Sequence, residues 1–311
     1  MSALICGSLA YDTIMVFPDQ FKNHILPDKV HILNVSFLVP RMRREFGGCA
    51  GNIAYNLHLL GGEPIPMGTV GSDFGPYREH FEALGIDLSR VRVIDELFTP
   101  QAFITTDHDN NQITAFHPGA MMRSYENHVK DVPGVTFGIV SPDGREGMLQ
   151  NATEFAEAGI PFIFDPGQAM PLFNGAELRH FIEQADYVTV NDYESNLLQE
   201  RTGWSENEIM QRVKAYITTR GPHGSQIHTA EKTYDIPPAH ERRVTDPTGC
   251  GDAFRAGLIF GIEKGYDWMT IGRMGNLMGA LKVEHPGTQN QRFDFDGFND
   301  QFKQQFGYSL L

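Results

Sequence analysis

Short apolar runs alternate with amphipathic stretches along most of this chain, and the two periodicities predict alternating β-strands and α-helices. Buried strands are predicted at residues 4–6, 135–140, 161–164, 187–190 and 215–218. Helices are predicted at residues 51–60, 77–84, 145–158, 176–184, 194–202, 206–214, 253–264 and 268–283. Gly159, Gly203 and Gly265 each follow a predicted helix, where a left-handed C-cap is expected. This order is typical of an α/β fold in which a mostly parallel sheet is covered by helices on both faces.

Two segments interrupt the alternation and have the pattern of extended chain. Residues 12–47 contain the apolar run His31–Val39, and residues 101–117 contain two alternating runs around the turn-rich residues 107–111. They predict a small β-sheet lid, formed by residues 13–46 and 98–118, over a crevice in a single domain that spans residues 1–311. The alternative is an extra edge sheet without a function, whose apolar strands a second subunit would cover.

Charge and cysteine content narrow the class of protein. The 311 residues include 25 basic and 39 acidic side chains, a formal net charge of −14 that disfavours binding to nucleic acid. No apolar run reaches the roughly 20 residues of a membrane span, and the first residues resemble a strand rather than a signal peptide. Cys6, Cys49 and Cys250 lie far apart, which favours a reducing compartment over disulfides or a cysteine zinc site. We therefore expect a cytoplasmic protein that binds neither nucleic acid nor a membrane.

Residues 246–257, DPTGCGDAFRAG, have the pattern of a turn that leads into a helix. Gly249 and Gly251 allow the main chain to approach a ligand, and the first-turn N–H groups, including that of Cys250, lack intrahelical acceptors. Together with the helix dipole, these groups suit a phosphate. Asp252 follows directly, and we expect the same dipole to lower its pKa. An ionised carboxylate at this place could take a proton from an attacking hydroxyl. The alternative is a well-capped helix start without a catalytic role.

A second glycine-rich helix start, GGCAGNIAYNL, occupies residues 47–57. The pair Gly47 and Gly48 allows a hinge and close packing against a ligand. Asn52, one turn into the helix, offers both a donor and an acceptor to a hydroxylated substrate. Glycine-rich helix starts are common, so this pattern alone carries modest weight.

Together and in this order, the two patterns resemble the N- and C-terminal signatures of the ribokinase-like (PfkB) family of sugar and nucleoside kinases. The resemblance covers essentially the whole chain. It implies the family's three-layer α/β/α fold with a small β-sheet lid. It also implies ATP with Mg²⁺ as the phosphate donor, and phosphoryl transfer to an alcohol.

The resemblance also implies roles for individual residues. Gly249, Cys250 and Gly251 would form the catalytic loop, with Asp252 as the general base. Asp12 would bind sugar hydroxyls, although a strand-end Asp often only stabilises a turn. The nucleotide would be bound by Asn191, Glu194, Thr219, Gly221, Gly224, Asn276 and Gly287, the last of these in a loop, residues 284–289, that borders the ATP base.

Cations are a further part of what the resemblance implies. Glu194 would organise Mg²⁺ and its waters around the phosphates. Asn191 and Glu194 equally suit the capping of a helix, and both roles are compatible. The backbone of Asp246 and Thr248 would hold a monovalent cation such as K⁺.

Patterns of other nucleotide-binding classes are incomplete. The chain has no G-x-x-x-x-G-K-[ST] loop, and no G-x-G-x-x-G follows a strand. Residues 73–75 spell the Asp-Phe-Gly triplet of protein kinases without the accompanying H-R-D loop or V-A-I-K lysine. Cys250 is more consistent with a small space-filling residue than with a nucleophile.

The acceptor is harder to predict than the reaction. The long apolar lid segment could cover a flat base, and Phe116, Met121 and Met122 offer an aromatic ring and soft side chains beside it. Gln168 could reach either ribose or base. The pattern looks like the adenosine-kinase-type branch of bacterial family members, so we expect a purine nucleoside 5′-kinase. The alternatives are a sugar kinase of the ribokinase or fructokinase type, and a nucleoside sensor without turnover. The run His31–Val39 would suit a homodimer through the lid, and a monomer stays open.

Overall fold

The computed structural model describes residues 2–25, 34–109 and 111–310. Its strands are β1 (Ser2–Cys6), β2 (Ala10–Val16), β3 (Arg41–Gly47), β4 (Glu63–Gly71), β5 (Val91–Ile94), β6 (Gln101–Thr106), β7 (Gln112–His117), β8 (Val135–Val140), β9 (Phe162–Phe164), β10 (Tyr187–Asn191), β11 (Ala215–Thr219), β12 (Ser225–Thr229) and β13 (Thr233–Ile236). Its helices are α1 (Cys49–Leu59), α2 (Gly75–Leu84), α3 (Arg145–Ala158), α4 (Gly175–Gln184), α5 (Asp192–Thr202), α6 (Glu206–Met210), α7 (Cys250–Lys264), α8 (Trp268–Val283) and α9 (Phe295–Phe306). Within these ranges, no helix is both long and apolar enough to cross a membrane.

Nine of the described strands form one large sheet in the order β13-β12-β11-β10-β9-β8-β1-β4-β5. Every pairing from β5 to β11 is parallel, and β12 and β13 add an antiparallel edge. Side chains on β1 alternate between two cores: Ile5 joins the cluster that contains residues of α1, α7 and α8, whereas Leu4 joins the cluster that contains residues of α3, α4 and α5. A parallel sheet buried on both faces follows from this pattern, and the carboxyl ends of its strands meet at one edge.

The remaining four strands form a small sheet in the order β3-β2-β6-β7. The hairpin predicted within residues 101–117 is β6 and β7, with Ala102 opposite Phe116. β2 pairs with β3 and with β6, which places Asp12 opposite Glu45 and Ala102. The small sheet thus draws its strands from both extended segments of the sequence. That it closes as a lid stays a prediction.

Several boundaries differ from those predicted. The helix predicted at 206–214 is α6, which ends at Met210, and residues 34–39 of the predicted apolar run form no strand. The rest of that run, from His31 to residue 33, lies outside the described residues, as does Asn110 in the hairpin turn. Strands β4, β5, β12 and β13 and helix α9 were not predicted. The C-caps Gly159, Gly203 and Gly265 are left-handed as expected, with φ of 66°, 68° and 72°.

Two glycines set how closely the site-bearing helices approach their neighbours. Gly48 joins β3 to α1 with φ of +86°, and a Cβ atom there would lie 2.5 Å from the Ser8 carbonyl oxygen. On α7, a Cβ atom at Gly257 would lie 2.9 Å from the Gly275 Cα on α8. Any larger residue would push these helices away from the edge of the sheet where the strands end.

Candidate active site

A cavity of about 980 Å³, called the large cavity below, lies between the carboxyl edge of the large sheet and the small sheet. The residues that contribute to its walls from the ends of β1, β8, β9, β10 and β11 are Ser8, Pro142, Asp143, Asp165, Asn191 and Thr219. The small sheet contributes Asp12, Ala102 and Phe116. A narrow cavity of about 380 Å³ shares Thr219, Gly221 and Gly251 with the large one. The two cavities therefore meet at the N-terminus of α7, and both lie where open α/β sheets bind ligands.

Asp12 projects a carboxylate into the large cavity from the middle of β2. Gly47 leaves room for it, because a Cβ atom at that position would lie 2.6 Å from Asp12 Oδ2. Burial, with Glu45 and Asp246 adding repulsion, raises the pKa of Asp12 to about 6. Within the described part of the chain, no donor contacts this carboxylate. A largely buried acceptor without a partner suits a ligand that brings its own hydroxyl donors.

The start of α7 has the features of an anion site. Gly249 precedes the helix with φ of +78° and offers no side chain as a cap. Among the described residues, the amides of Gly251 and Asp252 have no backbone acceptor. The Asp246 carboxylate accepts hydrogen bonds from the Thr248 amide at 3.0 Å and the Gly287 amide at 2.9 Å, which holds the preceding turn in shape. Free amides at the positive end of a helix bind anions.

Asp252 is the acidic residue in the first turn of α7, and Asn52 of α1 orients its carboxylate. Asn52 Nδ2 donates to Asp252 Oδ2 at 2.8 Å. Gln289 Nε2 in turn donates to Asn52 Oδ1 at 3.0 Å, which fixes the direction of the Asn52 amide. Gln289 was not predicted from the sequence, since it meets Asn52 across 237 positions. Asn52 lines the large cavity and contacts Asp252 in this structure, and its contact with a substrate stays a prediction.

The expected effect of the helix dipole on Asp252 was wrong in its net direction. Burial raises the pKa of Asp252 to about 7, although Arg255 and the hydrogen bond from Asn52 both oppose the shift. Removing the carboxylate from water outweighs the favourable charges around it. A pKa near neutrality suits a general base better than a strongly acidic group would, because such a base holds a transferred proton more readily.

This pKa predicts a pH dependence of activity. We expect kcat/KM to decrease below pH 7, by about tenfold per pH unit, because a protonated Asp252 cannot accept a proton. Below pH 6 the decrease should steepen as Asp12 also protonates. In Asp12→Asn the additional decrease of kcat/KM below pH 6 should disappear, whereas the decrease that begins at pH 7 should remain. Rates that do not change with pH between about 5 and 8 would contradict the assignment of Asp252.

A buried ion pair that was not predicted lies beneath the turn. Arg255 Nη2 donates to Asp165 Oδ1 at 2.7 Å, and both side chains are buried. A Cβ atom at Gly251 would lie 2.7 Å from Arg255 Nη1, so the guanidinium is directly behind the anion site. The sequence contains a signal for this buried charge, because Arg255 is the only charged residue within the apolar run 253–261.

Asn191 and Glu194 form a complete capping box at the start of α5. Asn191 Oδ1 accepts from the Glu194 amide at 2.7 Å, and Glu194 Oε2 accepts from the Asn191 amide at 2.8 Å. Both residues line the large cavity, and burial raises the pKa of Glu194. The described residues contain no group of three His, Cys, Asp or Glu side chains arranged for a metal ion. The capping role is therefore observed, and the contact to Mg²⁺ stays a prediction.

The residues predicted to bind nucleotide divide between the two cavities. The narrow cavity is lined by Thr219, Gly221, Gly224, Cys250 and Asn276 together with apolar neighbours. Burial raises the pKa of Cys250 to about 11, so its thiol stays protonated, as a space-filling residue requires.

Contacts within the protein hold the loop 284–289 in place. Gly287 lies outside both cavities and donates its amide to Asp246, so its contact with nucleotide stays a prediction. Thr288 Oγ1 donates to the Phe46 carbonyl, and Gln289 reaches Asn52. The end of this loop therefore approaches the side of the cavity that holds Asp252.

The lining of the large cavity includes several apolar side chains. These are Phe116, Met121, Met122 and Leu172, and Gln168 adds an amide whose Nε2 lies 3.8 Å from Cys49 Sγ. Asp143, which was not predicted, is a buried carboxyl of the same lining, and burial raises its pKa to about 8. An aromatic ring and polarizable apolar side chains, together with a few polar groups, suit a heteroaromatic ring.

Comparison with known proteins identifies the protein family. Residues 11–293 match the pfkB family of carbohydrate kinases, so the chain belongs to this family of ATP-dependent phosphotransferases. It is 33% identical over 262 residues to the nucleoside kinase of Methanocaldococcus jannaschii, which covers 82% of this chain and 85% of the relative.

Solved structures agree with this assignment. The nucleoside kinase of Burkholderia thailandensis in complex with inosine is 55% identical, covers 99% of both chains and superposes with a TM-score of 0.90. The ADP-inosine complex of the same protein is 56% identical, covers 99% of this chain and 97% of that one, and has a TM-score of 0.88. These comparisons confirm the predicted family, the ribokinase-like α/β fold and the kinase class.

Proposed function

We propose that this protein is a nucleoside kinase that transfers the γ-phosphoryl group of ATP to the 5′-hydroxyl of a purine nucleoside. The observation that carries the proposal is the arrangement of the large cavity. Asp12, a largely buried carboxylate without a partner, and apolar side chains that include Phe116 line the same cavity as the anion site of α7 and Asp252. The hydroxyls of a ribose would match Asp12, and a base would match the apolar side chains. A hydroxyl that accepts the phosphate would match Asp252 and the anion site. The names and ligands of the related nucleoside kinases support the same acceptor class.

The nucleotide fits the narrow cavity and the turn that joins it to the large one. In this proposal the adenine lies among the apolar residues around Gly224 and Asn276, and the phosphates reach the free amides of Gly251 and Asp252. Glu194, which lines the large cavity, would hold the waters of Mg²⁺. When bound, Mg²⁺ would neutralise charge on the phosphates.

Phosphoryl transfer has a loose transition state, so the protein contributes chiefly by positioning and by charge stabilisation. Asp12 accepts hydrogen bonds from two neighbouring ribose hydroxyls, which leaves the 5′-hydroxyl directed at the turn. Asp252, oriented by Asn52, takes the proton of that hydroxyl as the oxygen attacks the γ-phosphorus. The amides at the start of α7 then stabilise the negative charge on the transferred group.

A panel of acceptors tests the proposal. Adenosine, inosine, guanosine, cytidine, ribose and fructose are each incubated with ATP and Mg²⁺, and ADP formation is measured. We expect the highest kcat/KM for a purine nucleoside. A clear preference for ribose or fructose would instead indicate a sugar kinase. Stabilisation by a nucleoside without ADP formation would indicate a sensor.

The two faces of the small sheet provide a matched pair of variants for the same panel. Phe116 and Ala102 are cross-strand neighbours on the cavity face, whereas Phe103 is paired with Ala115 on the other face. We expect Phe116→Ala to raise KM for a purine nucleoside about tenfold and to leave ribose unaffected, because base stacking is lost. Phe103→Ala should change neither value. Equal effects of the two substitutions would contradict the placement of the base.

A homodimer through the small sheet remains a prediction. Phe103 and Ile113 leave 40% and 44% of their surfaces exposed there.

A further inference from the structure

Lys282 is a buried lysine in the last turn of α8 that the proposed mechanism does not use. Its side chain is 0% exposed. Nζ donates to the carbonyl oxygen of Asp246 at 2.7 Å and to that of His285 at 3.2 Å. Lysine is almost never fully buried unless its charge is compensated, so this position calls for a reason.

The two carbonyls belong to the segments that shape the anion site. Asp246 begins the turn that leads to Gly249, and His285 lies in the loop after α8. Other contacts join the same segments, since the Asp246 amide donates to the Val283 carbonyl at 3.1 Å and the Gly287 amide donates to the Asp246 carboxylate at 2.9 Å. Lys282 therefore places a positive charge where two loops converge behind the start of α7.

Burial lowers the pKa of the Lys282 ammonium overall, and nearby acidic groups oppose only part of that shift. The Asp246 carboxylate opposes it most, with a smaller contribution from Asp252. Arg43 is the nearby cation that acts in the other direction. The charge of Lys282 in turn lowers the pKa of Cys250 against the effect of burial. The ammonium thus acts electrostatically on the residues of the catalytic turn.

The contact between Lys282 and the Asp246 carbonyl also affects the site of the monovalent cation that was expected at Asp246 and Thr248. A cation bound to the Asp246 carbonyl would share that oxygen with the Lys282 ammonium, which lies 2.7 Å from it, and the two positive charges would repel each other. The residues present therefore do not fit K⁺ at this position.

We propose that Lys282 is a tethered internal cation that holds the turn from Asp246 to Gly249 in its phosphate-binding shape, so that this kinase needs no monovalent metal ion. Lys282 is a positioning residue in this proposal, since it touches the backbone of the turn and not the substrate. The inference rests on the proposed function only in that the turn binds the phosphates of ATP.

The first test measures the wild-type protein. The dissociation constant of MgATP is measured by calorimetry in K⁺, in Na⁺ and in choline at one ionic strength, together with kcat for whichever acceptor is turned over. We expect both values to agree within about twofold among the three salts. An activation by K⁺ of about tenfold or more would overturn the inference. A protein that binds ATP equally in all three salts but phosphorylates no acceptor would contradict only the proposed function.

The second test uses two substitutions that differ in the space they leave. Lys282→Ala removes the charge and opens room for a small cation, whereas Lys282→Met removes the charge and fills that room. We expect both to lower kcat about 100-fold in choline. Addition of K⁺ or methylammonium should restore a large part of the activity of Lys282→Ala and none of that of Lys282→Met. Lys303→Ala, an exposed lysine on α9, serves as the control and should behave like the wild type.

Three outcomes would overturn the inference. These are full activity of both variants in choline, a loss that no cation restores in Lys282→Ala, and equal restoration of both variants, which would indicate a general salt effect. If either variant fails to fold, the salt dependence of the wild-type protein still decides the question.

Discussion

Replacing Asp252 by Asn should lower kcat about 10³-fold while leaving the dissociation constant of ATP within about twofold. The amide preserves the shape of the side chain and can still interact with Asn52, but it cannot accept a proton from the attacking hydroxyl. In the proposed mechanism the phosphates are held by backbone amides, which the substitution leaves in place. Steady-state kinetics with a saturating nucleoside and calorimetry with ATP measure the two quantities.

Two further substitutions make this result specific. Asp296→Asn makes the same chemical change at an exposed position in the first turn of α9 and should leave kcat unchanged. Asp12→Asn should chiefly raise KM for the nucleoside, because Asp12 is proposed to bind the ribose and not to move the proton. A near-normal kcat in Asp252→Asn would rule out the general base.

Replacing Arg255 by Met should have the largest effect on stability. The substitution leaves Asp165 buried without its partner, and loss of one member of a buried ion pair costs about 3–5 kcal/mol in the free energy of unfolding. Activity should also fall, because the guanidinium supports the turn at Gly251 from behind. Urea denaturation followed by circular dichroism measures the loss of stability.

A double substitution distinguishes the contribution of the ion pair to stability from that of side-chain packing. Arg255→Met combined with Asp165→Leu removes both charges, and we expect it to recover a large part of the lost stability without recovering activity. The exposed Arg242→Met is the matched control and should change the free energy of unfolding by less than about 0.5 kcal/mol. A loss below about 1 kcal/mol in Arg255→Met would contradict the proposed importance of the pair.

Much of the fold could be predicted from local sequence patterns. Strands β8 to β11 are short apolar runs bounded by loops, and their buried residues repeat at the expected spacing. Strand β4 was missed because Pro64, Pro66 and Gly68 interrupt its apolar run. Helix α9 could have been predicted, since its phenylalanines follow helical spacing and Asp294 caps its first turn by accepting from the Gly297 amide.

The site was predictable only as far as it is local. The turn around Gly249 and the helix start at Gly48 are encoded in consecutive residues, so a glycine pattern identifies them. The pairing of Asn52 with Gln289 joins residues far apart in the chain, and only the folded chain brings them together. The pKa of Asp252 also required the structure, because burial, which the sequence does not display, dominates the helix dipole.

The two cavities share a wall at Gly251, with the proposed donor on one side and the proposed acceptor on the other. The protonated thiol of Cys250 faces the narrow cavity and is a poor carrier for a phosphoryl group. The γ-phosphoryl group would therefore pass from ATP to the nucleoside oxygen in one in-line displacement, with ADP as the leaving group. Such a transfer reverses the handedness of an isotopically chiral phosphate, and no phosphoenzyme accumulates when the nucleoside is withheld.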